Sequence, residues 1–156
     1  MTTLKGKIVF NIYEAKELPD KDTALFNLFG KDVTDPYVVG EIDREGANPF
    51  QLLKTKVITN SLTPKWDEKF STPVDHTSEH ITIKVKDKDM AGSDVVGSCK
   101  VACDLILQGN EIKAWYQLEN RGKKHGKIHM SIQYTPKTKG KNSMRMATDK
   151  KMVLKK

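Results

Sequence analysis

A chain of 156 residues with 37% hydrophobic and 30% charged side chains suits one domain with a real core, and its apolar runs are too short to span a bilayer. The net charge of +7 is confined to residues 137–156, where Lys137, Lys139, Lys141, Arg145, Lys150, Lys151, Lys155 and Lys156 face Asp149 alone. Of 27 basic and 20 acidic side chains, the remaining residues therefore keep 19 of each, which argues against nucleic acid as a partner of the folded part. The start, MTTLKGKIVF, lacks the long apolar stretch of a secretory signal, so a cytoplasmic location is expected.

In chain order, GKIVFNIYEA alternates Ile8, Phe10 and Ile12 with Val9, Asn11 and Tyr13, the period of a half-buried strand. An acidic stretch with Asp20, Asp22, Asp32 and Asp35 follows, enclosing the apolar cluster Leu25, Phe26, Leu28 and Phe29. Strands are then expected at DPYVVGEI, LKTKVIT, WDEKFSTPV and HITIKVKDKD, where Ile81, Ile83 and Val85 alternate with Thr82, Lys84 and Lys86. VVGSCKVA, AWYQLEN and GKIHMSIQY complete the set, with turns at GANP, SLTP, MAGSD and NRGKKHG. Eight strands at this spacing predict an all-β, antiparallel β-sandwich over residues 1–136, with a short helix within VACDLILQGNEIKA and a basic tail at 137–156. Trp66, Trp115 and Tyr116 fit the core of such a sandwich. Cys99 and Cys103, four apart, would sit about 13 Å from each other on a strand. A disulfide tolerates only about 7 Å between Cα atoms, so two small buried thiols are expected.

The acidic residues carry the chemistry. Asp87 and Asp89 leave the strand HITIKVKDKD on one side of the chain, and Asp94 follows in the same loop. Carboxylates held this close repel unless a cation lies between them. Calcium takes hard oxygen ligands in flexible geometry, and no Cys or His accompanies these aspartates to favour zinc or copper. The loop lacks the helical flanks and terminal Glu of an EF-hand. No nucleophile–base pattern or phosphate-binding loop is present, so a binding module is expected and not an enzyme.

TDPYV at 34–38, LTPKWDEKF at 62–70 and KDKDMAGSDVVGSCKV at 86–101, in this order, resemble the C2 domain family across roughly residues 5–135. The first loop, with TALFNLFGKDVT inserted after Asp22, is similar to the extended-synaptotagmin type, and the strand order resembles the family's type II. The resemblance implies calcium ligands at Asp22, Asp35, Asp87, Asp89 and Asp94, with backbone carbonyls such as those of Lys21 and Lys88. It implies two ions, Asp87 and Asp89 bridging them. Asp94 follows Asp87 at one residue fewer than the commonest spacing, and Ala91 and Ser93 stand where some relatives have acids, which weakens the case for a third.

The function so implied is calcium-dependent binding of anionic phospholipid, phosphatidylserine or a phosphoinositide, by a domain recruited peripherally to membranes. Leu25, Phe26, Leu28 and Phe29 then have two refuges, the bilayer or the flank of the sandwich, and Met90 is a further candidate for insertion. Lys54 and Lys56, alternating in LLKTKVIT, are candidates for a cationic strand face. The tail, with Met144, Met146, Met152, Val153 and Leu154 among its lysines, could add a membrane or protein contact. The competing expectation is a protein-interaction scaffold with weak or no calcium dependence.

Overall fold

Alternation at period two does build the elements, and their order positions the acidic loops. The computed structural model describes residues 1–19, 34–89 and 92–138, with side chains for all of these but Asp89, Gly92 and Ser93. Among the described residues the elements are β1 (Thr2–Lys16), β2 (Pro36–Arg44), β3 (Ala47–Lys54), β4 (Lys65–Ser78), β5 (His80–Asp89), β6 (Gly92–Ala102), α1 (Cys103–Leu107), β7 (Ile112–Asn120) and β8 (Lys123–Pro136). The expected eight-stranded antiparallel sandwich is present. Strands run β3-β2-β5-β6-β7-β8-β1-β4, and a single residue pair, Ser98 with Glu119, links β6 to β7. That thin seam lets the sheet fold into two four-stranded layers. The far edges meet where the Thr72 hydroxyl of β4 donates to the Leu52 carbonyl of β3 at 3.0 Å.

The two inner faces share one core. Ile81, Ile83 and Val85 of β5 pack in the same cluster as Ile8, Phe10 and Ile12 of β1 and Ile128, Met130 and Ile132 of β8. Trp66, 2% exposed, fills this core from β4, and its indole N–H points at the Pro36 carbonyl, 3.4 Å away. The five-residue α1 caps one side, burying Cys103 and Ile106 and receiving the Thr2 hydroxyl on Asp104. Arg121 and Gly122, with φ of 52° and 79°, form the β7–β8 turn, whose left-handed backbone matches the twist of the flanking strands.

Three expectations are corrected. The third strand lies earlier than LKTKVIT: the β2–β3 turn takes only Glu45 and Gly46, and the strand ends at Lys54. Residues 55–58 still run beside β2, but the Thr55 hydroxyl replaces a main-chain acceptor for the Val38 N–H, at 2.8 Å, and the ladder stops there. Trp115 is not core but 40% exposed. Ala114, Tyr116 and Leu118 take the inward phase of β7, so its neighbour must face out. Third, the strands exceed their apolar runs; β1 begins at Thr2 because β4 pairs with it from there, and β8 joins on the other side from Gly6.

Both cysteines are free. Burial pushes the Cys99 thiol from an ordinary 9.0 up to about 12. Burial likewise pushes Cys103 up to about 11, although the Ser78 hydroxyl pulls it the other way. Thiols held protonated are poor nucleophiles. Iodoacetamide at neutral pH should therefore modify the native chain far more slowly than the chain in denaturant. Between pH 9 and 11 the unfolded chain gives up thiol protons that the folded chain keeps. Stability should consequently fall as pH rises through that window, a trend that denaturant melts at stepped pH would register.

Candidate functional site

The strand register brings three of the predicted acidic residues, Asp35, Asp87 and Asp94, to one end of the sheet. Asp87, near the end of β5, lies opposite Pro36 of β2 on one side and opposite Asp94 of β6 on the other. Asp35, immediately before β2, Asp87 and Asp94 therefore occupy three neighbouring strands at the same level. Asp35 and Asp87 are half-buried and Asp94 is exposed. The alternation that turns Ile81, Ile83 and Val85 inward gives Asp87 the same phase, at the open mouth between the layers.

Main-chain N–H groups orient two of these carboxylates. The Asp35 N–H donates to Asp87 Oδ1 at 2.9 Å, and the Asn60 N–H donates to Asp35 Oδ1 at 2.8 Å. The Lys88 N–H donates to the Asp35 carbonyl at 3.0 Å, closing a ring of contacts between the two acidic segments. A third segment joins them. Ile58 and Ser61 donate their N–H groups to the carbonyls of Pro36 and Thr34, at 3.0 and 2.9 Å, and the Thr34 hydroxyl donates back to the Ser61 carbonyl. Asn60 was not among the expected site residues. Its signal was the SLTP turn, which places a loop beside the acidic ones without disclosing that its backbone would hold Asp35.

Of the other expected ligands, Lys21 and Asp22 lie outside the described residues, and Asp89 is described only by its backbone, which pairs with Gly92. Among the described residues no three His, Cys, Asp or Glu side chains form a group able to hold a metal ion. Asp35, Asp87, Asp94 and the carbonyls beside them offer only oxygen, a chemistry that suits calcium better than a thiolate- or imidazole-seeking metal.

Leu25, Phe26, Leu28, Phe29 and Met90 also lie outside the described residues, as do residues 139–156 of the basic tail. Lys54 and Lys56 are both exposed, but only Lys54 is on a strand, so they do not share a strand face. Lys54 instead holds its amine 5.4 Å from the centre of the Tyr37 ring. Its strand-face companion is Lys84, since Val39 pairs with Lys54 on one side and Lys84 on the other. Lys84 was visible in the ITIKVK alternation but could not be joined to Lys54 without the register. Its amine pairs with Glu41. No helix among the described residues is long and apolar enough to cross a membrane.

Comparison with known proteins agrees with this architecture. The family model described as "C2 domain" matches residues 6–118. Synaptotagmin-5 of Arabidopsis thaliana is 30% identical over 84% of this chain, and Phospholipase D beta 1 of the same organism is 32% identical over 87%. The chain spans only 21% and 14% of those two proteins. Among solved structures, the calcium-bound pair of C2 domains of Extended-Synaptotagmin 2 superposes with a TM-score of 0.67 at 25% identity, covering 87% of this chain and 48% of that one. A structure of the same protein that includes its SMP domain with both C2 domains gives 0.66 at 27% identity, over 85% of this chain and 28% of that one. The chain belongs to the C2 domain family.

Proposed function

We propose that this chain is a non-enzymatic module that binds anionic phospholipid membranes in response to calcium. The observation that carries the proposal is the placement of Asp35, Asp87 and Asp94 at one level on adjacent strands, two of them oriented by main-chain N–H groups. By the sequence motif, Asp22, Asp89 and the Lys21 and Lys88 carbonyls would complete the ligand set for two ions. Calcium at this end would supply positive charge and open coordination positions for headgroup oxygens.

The protein's own groups do the rest. Without the ion, the aspartates make a negative tip that anionic lipid repels. With their charge offset, that tip ceases to resist approach, and Leu25, Phe26, Leu28, Phe29 and Met90 are the apolar groups to enter the interface. Burying one Leu or Phe is worth roughly 1.5–3 kcal/mol, so a single inserted side chain matters. Lys54 and Lys56 add attraction toward phosphatidylserine or phosphoinositide headgroups, at about 1 kcal/mol for each lysine near the surface. The chain would then act at the cytoplasmic face of a membrane, recruited from solution.

Co-sedimentation with phosphatidylserine vesicles tests the proposal. Calcium should raise the bound fraction well above that in chelator. Equal binding in the two conditions, or none in either, would favour the protein-scaffold alternative.

A further inference from the structure

The charge balance of the folded part conceals an uneven distribution that only the strand register discloses. On the outer face of β7, β8 and β1, Trp115 pairs across with His129, and Gln117 and Lys16 both pair with Lys127. The Trp115 and His129 rings stack at 4.9 Å with an interplanar angle of 13°, and Tyr13 closes on His129 from the other side at 4.8 Å. Lys16 and Lys127 hold their amines 5.3 and 5.1 Å from the centre of the Trp115 ring, and Lys113 lies 4.9 Å from that of Tyr13. Three ammonium groups thus surround one column of aromatic rings. Among the described residues, Glu14 reaches into this group, 3.9 Å from Lys16.

A bulge builds the face. The β1 register shifts between Ile12 and Glu14, so that Ile12 and Ala15, three residues apart, are both fully buried. Strict alternation from Ile12 would have turned Lys16 inward; the extra residue turns it out beside Tyr13. Cation–π contact holds the lysine stems against the sheet, which lowers the ordering cost of gripping an anion. Location narrows the occupant. The Lys16 end of β1 leads toward the acidic first loop, and the Asn120 amide beside the β7–β8 turn donates to the Val95 carbonyl at 3.2 Å, next to Asp94. The patch therefore runs up to the end of the sandwich that carries the aspartates, while an exposed Trp among lysines suits the headgroup layer of a membrane.

We propose that the β7–β8–β1 face, centred on Trp115 and His129 with Lys16, Lys113 and Lys127, is a calcium-independent site for a polyphosphorylated lipid headgroup on a membrane surface. It lies on the opposite layer from Lys54 and Lys84, and it goes beyond the calcium-dependent proposal without depending on it.

Trp115 is its own reporter, because Trp66 is buried. In chelator, phosphatidylcholine vesicles containing phosphatidylinositol bisphosphate and brominated acyl chains should quench the fluorescence of the full chain. Trp115→Phe should remove that quenching. Lys113→Ala with Lys127→Ala should weaken vesicle binding about twenty-five-fold, from roughly fivefold per lysine beside an anionic surface. Lys113 is exposed and Lys127 only partly buried, so the melting temperature should change little. Asp87→Asn should leave this binding intact while removing the calcium response on phosphatidylserine, which separates the two proposals. Absent quenching, or affinity unchanged in the lysine variant, would overturn the site. Equal affinity for soluble inositol trisphosphate would overturn its assignment to a membrane, and binding of a single-stranded RNA oligonucleotide in preference to vesicles would replace the ligand class.

Discussion

Asp87→Asn is expected to lower calcium affinity on the order of a hundredfold, a step within the range over which ligand charge tunes such sites, and to remove the calcium response on phosphatidylserine vesicles. The substitution is close to isosteric. Asn offers an oxygen where Asp87 Oδ1 receives the Asp35 N–H, so the link between β5 and the first acidic segment survives. Stability should move the opposite way from function. Asp87 lies directly opposite Asp94 in the β5–β6 ladder, and like charges so placed cost about 0.2–1 kcal/mol. In chelator the variant should therefore melt at the same temperature as the parent or slightly higher. Added calcium should raise the melting temperature of the parent and leave that of the variant nearly unchanged. A variant that melts well below the parent in chelator would assign Asp87 a structural role instead.

Trp66→Ala carries the largest expected cost in stability. The side chain is almost fully buried, and truncating a core aromatic costs about 3–5 kcal/mol through lost burial and the cavity left behind. Against a typical total of about 5–15 kcal/mol, that is a large share. Its position adds a second consequence. The indole reaches the Pro36 carbonyl, the same carbonyl that receives the Ile58 N–H, so it supports the backbone just after Asp35 from beneath. Urea denaturation followed by circular dichroism should show the midpoint falling steeply. Trp66→Phe, which refills most of the volume, should lie between the two. A loss below about 1 kcal/mol for the alanine variant would contradict a core role.

Much of this molecule was legible in its residues because period-two alternation and register act on the same side chains. Ile81, Ile83 and Val85 announced both a strand and its inward face, and continuing that phase placed Asp87 at the mouth of the sandwich. TDPYV, LTPKWDEKF and KDKDMAGSDVVGSCKV carried the family resemblance. What stayed hidden depends on contacts distant in sequence. Lys56 looked like a strand residue because LKTKVIT alternates well, yet the hydroxyl of Thr55 ends the ladder. Trp115 and Tyr116 are adjacent in β7 and cannot both face inward; Leu118 sets the phase, and reading it would have turned Trp115 outward. The basic face around Trp115 was less accessible still. Its lysines come from three strands that together carry a net +5, a surplus hidden because the acids elsewhere in the folded part cancel it, and the bulge before Glu14 has no plain sequence mark.

The central claim is that calcium and an anionic membrane are coupled through the aspartate end of the sandwich. Calorimetric titration of calcium into the chain, with and without phosphatidylserine vesicles, tests that coupling most directly. The expected result is saturable binding of two ions, tightened by the vesicles within the roughly 5–150-fold typical of linked sites. An affinity unchanged by vesicles, or no saturable heat in either titration, would contradict it.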